Sequence, residues 1–352
     1  MKKTLMRIGA VLVSSVLAMS ALAGCGAKNE QQTADKGKTV ELKLATHDPS
    51  TSENTKMVQT LADETFEATD GRVKITICAD ASLGPASDGL TMLDTGVCDM
   101  IWTTTSLFAG QFPICELMTL PFLGADDVFD LCDSFWDLYE AHPEYFTELD
   151  GYVPLGMYSG GRGVFVTNRE LSSAADLSGM TMRVVTGPLN MMAQDLGINA
   201  LTMGPGDIFL SMEKGVIDGY MFNLNGIGSF ALYDVTPYAY CFGSSTFDNN
   251  ILVLMSEDAW GRISDEDKAI IDGIWRRAGS QRMVKVLNDT AVEGEKILGE
   301  HYIQIDSGDF YDEMEACANE AVAEYIADFD GKGVPMSDAY AYFLERIESY
   351  RD

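Results

Sequence analysis

Hydrophobic and polar residues alternate in two stretches near the start of the chain, residues 40–46 and 72–78. A period of two is typical of strands with one buried face. Between them, residues 52–70 carry apolar side chains at helical spacing, and a second helix and a buried strand are predicted over 85–95 and 98–102. The residues of the first helix predicted to face inward are Met57, Leu61 and Phe66. This order of elements predicts parallel strands with right-handed crossovers.

A second series of the same kind follows. Strands are predicted at 152–158, 163–167, 181–185, near Ala200, at 216–220 and at 250–255, and short helices at 188–196 and 206–214. A long helix, straight or kinked, is expected from Ser264 to about residue 297, because acidic residues fill its first turn. From Tyr311 onward the pattern is mainly helical. The pattern therefore predicts two α/β lobes with a ligand cleft between them.

The N-terminus has the pattern of an export signal. Lys2, Lys3 and Arg7 precede a short apolar run over residues 8–23, and small residues end it. The ending Leu-Ala-Gly-Cys25 resembles the bacterial lipobox, which implies a signal peptide over 1–24 and a lipidated Cys25 that anchors the protein to the outer face of the cell membrane. A plain signal peptide or an uncleaved anchor are the alternatives. The polar stretch up to residue 38 is expected to be a flexible tether.

The formal net charge of −30 argues against partners that are themselves strongly anionic. The sequence has no basic patch, so we expect no nucleic-acid binding, and we expect contact with the membrane only through the lipid anchor. Such an acidic chain repels an anionic ligand at long range. Any anionic ligand must therefore be held by a few local, well-placed cations.

Metal, redox and catalytic chemistry have little support in the sequence. The only histidines are His47, His142 and His301, and the cysteines after Cys25 form no Cys-x-x-Cys pair, so we expect no metal and no cofactor. Free, buried thiols are expected, although export permits disulfides. No Gly-x-Ser-x-Gly, His-Glu-x-x-His or phosphate-binding glycine loop is found. We therefore do not expect an enzyme.

Several short segments occur in an order that is similar to a known family. They are residues 71–75 (GRVKI), 82–84 (SLG), 96–100 (GVCDM), 120–123 (LPFL), 161–163 (GRG), 167–169 (TNR), 176–184 (DLSGMTMRV) and 214–219 (KGVIDG). Together they resemble the solute-binding subunits of TRAP transporters, the DctP-like family, over roughly residues 42–270. Each segment alone is weak, but their order behind an export signal is specific.

The resemblance implies a class II-like periplasmic-binding-protein fold, with lobes joined by hinge strands and a long helix that spans both. Lobe I is expected at 39–160 plus about 246–285, and lobe II at 161–245 plus about 286–352 with the C-terminal helices. The ligand, a small organic acid, binds between the lobes and is delivered to TRAP membrane subunits that use an ion gradient. The alternative is a solute-binding lipoprotein of an ABC-type importer or of a sensing system.

Two arginines are the predicted carboxylate ligands. Arg183 lies on a predicted strand of lobe II, and a guanidinium offers two parallel donors that match a carboxylate. The resemblance places the family's carboxylate-binding arginine at this position; a structural ion pair or an exposed side chain is the alternative. Arg162 follows two glycines, and the resemblance suggests a second arginine near the carboxylate. An ion pair at the hinge is the competing interpretation.

The other candidate contacts follow predicted strands, where α/β proteins place ligands. They are His47, Trp102, Thr103, Thr104, Phe222 and Asn223. In some members of the family that this chain resembles, an acid in the segment matching residues 102–105 meets a polar ligand group. This chain has no acid there, which argues against carrying over a sialic-acid-like or amino-bearing ligand. Phe222 and Asn223 occupy a region in which many relatives carry an acid or amide. The sequence thus favours a carboxylate with an apolar or aromatic body.

Overall fold

The computed structural model describes residues 39–108, 110–125, 127–185 and 187–351. The predicted signal peptide, the lipidation site Cys25 and the tether lie outside the described residues. Within the described residues there are eleven strands: β1 Val40–Thr46, β2 Val73–Cys78, β3 Met100–Thr104, β4 Tyr152–Ser159, β5 Gly163–Thr167, β6 Thr181–Arg183, β7 Asn199–Leu201, β8 Gly219–Asn223, β9 Tyr238–Phe242, β10 Asn250–Ser256 and β11 Tyr302–Ile305.

The same part of the chain forms eleven α-helices. They are α1 Glu53–Ala68, α2 Gly89–Asp94, α3 Val128–Ala141, α4 Pro188–Asp195, α5 Ile208–Glu213, α6 Leu224–Ser229, α7 Glu257–Gly261, α8 Asp265–Ile274, α9 Arg276–Leu298, α10 Asp309–Gly331 and α11 Met336–Ser349. Short 3₁₀ turns connect several of them. The strands and helices assemble into two α/β lobes, as predicted.

Each lobe is built on one mixed sheet. The lobe I sheet has the order β2-β1-β3-β10-β4, and β1 runs parallel to both β2 and β3, as the alternating pattern predicted. The lobe II sheet has the order β11-β9-β5-β8-β6-β7, with β6 parallel to β8 and β7. Each sheet also contains an antiparallel strand that the chain enters from the other lobe. This strand is β10 in the lobe I sheet and β5 in the lobe II sheet. The two-lobed periplasmic-binding-protein fold is therefore confirmed.

Two chain segments cross between the lobes side by side. One links β4 to β5 and the other links β9 to β10, and the two hydrogen-bond to each other: Gly160 N donates to Asn249 O at 2.5 Å, and Gly163 N donates to Phe247 O at 2.8 Å. A Cβ added at Gly163 would lie 2.5 Å from both the ring and the carbonyl oxygen of Phe247, so only glycine permits this approach. This paired crossing is the hinge.

The long helix predicted from Ser264 is present and is broken once. Ser264 caps α8, since its side chain accepts from the backbone N of Asp267. The helix bends at Trp275, whose ring is buried and whose Nε1 donates to Thr65 Oγ1 at 2.9 Å. Beyond the bend, α9 packs against α1, α3 and β4 in lobe I and against α6 in lobe II. It therefore spans both lobes, as expected.

The C-terminal helices divide between the lobes, which corrects the expected domain boundaries. Helix α10 packs on α4 in lobe II, and Val322, Tyr325 and Phe329 of its second half join the lobe I core. Helix α11 packs on α3 in lobe I. The Phe343 ring meets the Phe135 ring edge-on at 5.5 Å, and Arg346 Nε donates to Asp137 at 3.0 Å. Apolar residues of α11 complete the lobe I core, so this helix does not belong to lobe II.

Two smaller predictions also fail. Phe66 was expected to face inward, but it is 44% exposed and packs beside Gly71 in the turn that ends α1. Its neighbours Leu61 and Thr65 occupy the buried face instead. The strand predicted at 216–220 begins only at Gly219, because the backbone N of Val216 donates to Ser211 O and closes the end of α5.

Candidate functional site

A cavity of about 800 Å³, including its mouth, opens between the lobes beside the hinge. From lobe I and the crossing segments its wall includes His47, Asp48, Asn54, Trp102, Thr104, Thr105, Ser106, Glu116, Phe247, Asp248 and Asn249. From lobe II it includes Arg183, Val185, Pro205, Phe222, Asn223, Asn225, Ser229 and Phe230. The cleft predicted from the sequence pattern is therefore present, and most of the predicted side chains meet in it.

Arg183 ends β6 and is 4% exposed. Its Nη1 donates to Met221 O at 2.7 Å, its Nε lies 3.4 Å from Met203 O, and its Cζ is 5.2 Å from the ring centroid of Phe222. No carboxylate among the described residues forms an ion pair with it. Burial lowers the pKa of the guanidinium to about 10, so it stays protonated at neutral pH. The cavity wall thus holds a buried cation that the described acids leave without a counter-charge.

His47 and Trp102 come from the ends of neighbouring parallel strands, β1 and β3. Their ring centroids lie 5.3 Å apart, and Trp102 Nε1 donates to the hydroxyl of Tyr158 at 2.6 Å, so the indole offers its flat apolar surface. Burial lowers the pKa of His47, the Arg183 charge lowers it further, and the neighbouring Asp48 raises it in part. His47 is therefore uncharged at neutral pH.

The threonines after Trp102 divide between two hollows because side chains alternate across a strand. Thr104 lines the cavity, and its Oγ1 lies 2.9 Å from Ser106 Oγ. Thr103 lines a smaller neighbouring hollow, which His47 and Trp102 also line, and it is absent from the wall of the cavity. The structure therefore places Thr103 near His47 and Trp102 but outside the cavity that holds Arg183. Thr105, which was not among the predicted site residues, lines the cavity.

Phe222 and Asn223 both line the cavity at the end of β8. The Phe222 ring centroid lies 5.2 Å from Arg183 Cζ and 6.0 Å from the ring centroid of Phe230. The Asn223 amide donates to Gly161 O, which ties this strand end to the hinge. The apolar character predicted for this side of the pocket is therefore present.

Arg162 lies away from Arg183, in a second, more open hollow at the hinge lined also by Asp127, Ser245 and Asn288. There its Nη2 forms an ion pair with Glu295 of α9. Both partners are largely buried. This arrangement corresponds to the competing interpretation of Arg162, an ion pair at the hinge.

Three acids in the wall were missed by sequence reasoning: Asp48, Glu116 and Asp248. Burial raises the pKa of each, to about 7 for Glu116 and about 6 for Asp248. Asp48 accepts from Asn54 Nδ2 at 2.6 Å, Glu116 accepts from the Tyr325 hydroxyl at 2.7 Å, and Asp248 accepts from Ser159. A lone acid within the apolar run 112–118 was a signal for Glu116.

Other kinds of site find no support in the described part of the chain. No three His, Cys, Asp or Glu side chains there gather in a way that would hold a metal ion. All six cysteines between residues 39 and 351 are free, four of them buried. None of the helices described has both the length and the apolar character needed to cross a membrane.

The family model described as bacterial extracellular solute-binding protein, family 7 (DctP) matches residues 44–330. A solute-binding protein of Chromohalobacter salexigens is 26% identical over 229 residues, which are 63% of this chain and 66% of that protein. The chain thus spans slightly less than two thirds of that relative's length, and 63% of a solute-binding protein from Roseobacter denitrificans at 26% identity.

A solved structure with a similar fold is a marine metagenome TRAP solute-binding protein specific for aromatic acid ligands, co-crystallised with 3-hydroxybenzoate. It is 23% identical, has a TM-score of 0.83 and covers 90% of this chain and 100% of its own. At this identity the likeness establishes the fold, whereas the family model covers most of the chain. The chain therefore belongs to family 7 of the bacterial extracellular solute-binding proteins, the DctP family that its motifs resemble.

Proposed function

We propose that the protein captures a small organic acid with an aromatic or apolar body, closes around it, and delivers it to TRAP membrane subunits. The observation that carries this proposal is the buried Arg183 guanidinium, which faces the cavity with no carboxylate partner among the described residues. Taking a charge out of water is costly unless an opposite charge compensates it. A ligand carboxylate supplies that charge.

The guanidinium is held in a fixed orientation. Its bond to Met221 O and its position over the Phe222 ring leave the rest of the donor fork for a ligand. An arginine fork binds a carboxylate through two parallel hydrogen bonds, and such charge-assisted bonds are about twice as strong as neutral ones. Since His47 beside it is uncharged at neutral pH, Arg183 is the wall's cation.

Aromatic surfaces around Arg183 support the proposed ligand body. Trp102, Phe222, Phe230 and Phe247 all line the same cavity, and aromatic rings stack or meet edge-on with other rings. The marine metagenome relative was crystallised with 3-hydroxybenzoate, and a TRAP solute-binding protein from Rhodoferax ferrireducens with copurified benzoate. These ligands belong to those proteins, but they have the same combination of carboxylate and ring.

The location of the contacts supports closure. Arg183 belongs to lobe II, whereas Trp102 and His47 belong to lobe I, and the paired crossing segments that join the lobes are the expected hinge. A ligand shifts the open–closed balance only through its higher affinity for the closed form. A ligand that touches both walls at once has such a preference.

Lipidation of Cys25 and delivery to TRAP membrane subunits are further parts of the proposal. The lipobox-like Leu-Ala-Gly-Cys25 supports the first, and membership of family 7 supports the second. Mass spectrometry of the N-terminal peptide from protein made in its own host tests lipidation. Wild type should carry acyl chains on Cys25, while the Cys25→Ser variant should not; an unmodified Cys25 in mature protein refutes the anchor.

The central test is a thermal-melting screen of the purified protein against aromatic and aliphatic carboxylates and their neutral amides. A ligand present at a hundred times its Kd stabilises the fold by about 2.7 kcal/mol, which raises the melting temperature measurably. We expect stabilisation by acids and none by the matched amides. Stabilisation by sugars or peptides, with none by any acid, would refute the carboxylate proposal.

A further inference from the structure

The lobe I wall contains oxygen atoms that have no hydrogen-bond partner among the described residues. They are Asn54 Oδ1, Thr105 Oγ1 and Glu116 Oε1. The three residues are 4%, 0% and 1% exposed, and all three line the cavity opposite Arg183. Buried polar atoms are nearly always hydrogen-bonded, so three such atoms in one cavity wall call for an explanation.

Two of these oxygens can act only as acceptors when Glu116 is ionised. Asn54 Nδ2 donates to Asp48 Oδ2 at 2.6 Å, and that bond fixes the amide so that Oδ1 is the free end. Glu116 Oε2 accepts from the Tyr325 hydroxyl at 2.7 Å, which leaves Oε1. Thr105 Oγ1 adds two lone pairs and one proton. Asn54 Oδ1, and Glu116 Oε1 when that carboxyl is ionised, therefore need hydrogen-bond donors, whereas Thr105 Oγ1 can accept or donate.

Glu116 also lies where the lobes meet. A Cβ added at Gly187, the residue that precedes α4 in lobe II, would lie 2.6 Å from Glu116 Oε2. The carboxyl of Glu116 therefore touches the opposite lobe as well as the cavity. A ligand group bound to Glu116 is held at the seam that closure brings together.

The two cavity walls consequently differ in what they offer a ligand. Lobe II offers the donors of Arg183 and one unpartnered acceptor, Asn225 Oδ1, whereas lobe I offers three unpartnered acceptors. Resting on the proposed function above, we infer that the ligand carries a hydrogen-bond donor, a hydroxyl or an amine, at the end opposite its carboxylate. A hydroxy- or amino-substituted aromatic acid matches both walls, and an unsubstituted aromatic acid matches only one.

This inference reverses one expectation from the sequence. The lack of an acid in residues 102–105 argued against an amino-bearing ligand, but Asp48 and Glu116 reach the same cavity from other segments. Sites built to hydrogen-bond a hydroxyl or amine reject the analogue that lacks it, because their own polar atoms are then left unpaired. Specificity of this kind is expected here.

The test measures Kd by calorimetry for the purified wild-type protein with benzoate, 3- and 4-hydroxybenzoate, and 3- and 4-(aminomethyl)benzoate. We expect at least one donor-bearing acid to bind roughly tenfold or more tightly than benzoate. If the hydroxy acids bind more tightly than the aminomethyl acids, the donor group of the ligand is neutral. If the aminomethyl acids bind more tightly, the donor group is a cation.

Failure of the inference and failure of the proposed function give different results. If benzoate binds as tightly as every donor-bearing acid, the inference is refuted and the carboxylate proposal stands. If none of these acids binds, or if the Arg183→Met variant binds them as tightly as wild type, the proposed function fails and the inference fails with it.

Matched variants locate the acceptors. Thr105→Val and Thr103→Val each remove one buried, unpartnered hydroxyl with little change of shape, but only Thr105 lines the cavity. We expect Thr105→Val and Glu116→Gln to reduce the preference for donor-bearing acids severalfold while benzoate affinity changes little. Thr103→Val should leave the preference unchanged. An unchanged preference in both Thr105→Val and Glu116→Gln would overturn the inference, and the wild-type ligand series tests it even if a variant does not fold.

Discussion

The two lobes present different chemistry to the same cavity. The lobe II wall has one buried guanidinium beside the rings of Phe222 and Phe230, whereas the lobe I wall has hydroxyls, an amide and two buried acids around Trp102. The lobe II residues lie at the ends of β6 and β8 or just beyond them. The acids of lobe I lie on connections outside its strands, at Asp48 and Glu116. The proposed function therefore assigns capture of the carboxylate to lobe II and recognition of the rest of the ligand to lobe I.

The largest expected effect comes from breaking the lobe II contact. In Arg183→Met the guanidinium is replaced by an apolar chain of similar reach, so the ligand carboxylate would be buried without a counter-charge. Removing one partner of a buried charge pair costs about 2–5 kcal/mol, which raises Kd roughly 30- to 5,000-fold. Calorimetry with the acid identified by the melting screen measures it.

Arg162→Met is the matched control for that experiment. Arg162 pairs with Glu295 at the hinge and does not line the cavity, so its loss should raise Kd only severalfold. If Arg162→Met weakened binding more than Arg183→Met, the assignment of the carboxylate to lobe II would be wrong.

The second-largest effect, on stability and on ligand affinity, is expected from a substitution at the hinge that joins the two walls. In Gly163→Ala the new Cβ would lie 2.5 Å from the ring and carbonyl oxygen of Phe247, a cavity residue. Forcing an atom into a packed site costs about 1–3 kcal/mol, so we expect the free energy of unfolding to fall by that amount and ligand affinity to fall as well. Urea unfolding and calorimetry measure the two effects.

Gly273→Ala is the control for the hinge substitution. Gly273 lies on the exposed side of α8 with no atom within 4 Å of an added Cβ, and alanine favours a helix over glycine by about 1 kcal/mol. This variant should be as stable as wild type or more stable. Equal destabilisation by both substitutions would mean that the crossing segments are not specially packed.

The next effect is the pH dependence of stability from two buried acids of lobe I, Glu116 and Glu148, of which Glu148 accepts from Cys115 N at 2.9 Å. Burial raises the pKa of each to about 7 from 4.5, so the folded state binds more protons than the unfolded state between these values. Each group therefore lowers stability as pH rises from about 4.5 to 7, by at most about 1.4 kcal/mol per pH unit.

Glutamine variants isolate that contribution. Because glutamine does not titrate, Glu148→Gln and Glu116→Gln should gain stability relative to wild type as pH rises from about 5 to 7. Urea unfolding at several pH values gives this difference. A difference that is constant with pH would show that the two carboxyls titrate normally in the folded protein.

Much of the fold and part of the site followed from local patterns. The strands predicted at 40–46 and 163–167 match β1 and β5 residue for residue, and Arg183 came from a motif whose strand is present. Alternation along β3 explains why Thr104 lines the cavity and Thr103 does not, because neighbouring side chains of a strand point to opposite faces. Tertiary placement decided the rest: Arg162 meets Glu295 only because α9 crosses the hinge, and α11 reaches lobe I only through its packing on α3.

The acceptors of lobe I were beyond sequence reasoning for the same reason. Asn54, Thr105 and Glu116 come from three separate segments, and nothing local shows that their oxygens share one cavity. Whether a polar atom has a partner depends on the whole fold. Sequence pattern could therefore identify Arg183 and part of the wall that faces it, His47, Trp102 and Thr104, but not the unpartnered acceptors.

The orientation of a bound ligand tests the account most directly. A crystal structure of the protein with its tightest-binding hydroxy- or amino-substituted acid should show the carboxylate within about 3 Å of the Arg183 guanidinium. The same structure should show the donor group on Asn54, Thr105 or Glu116 of lobe I. A carboxylate bound at Arg162, or a ligand held in the reverse orientation, would contradict the division of roles between the two lobes.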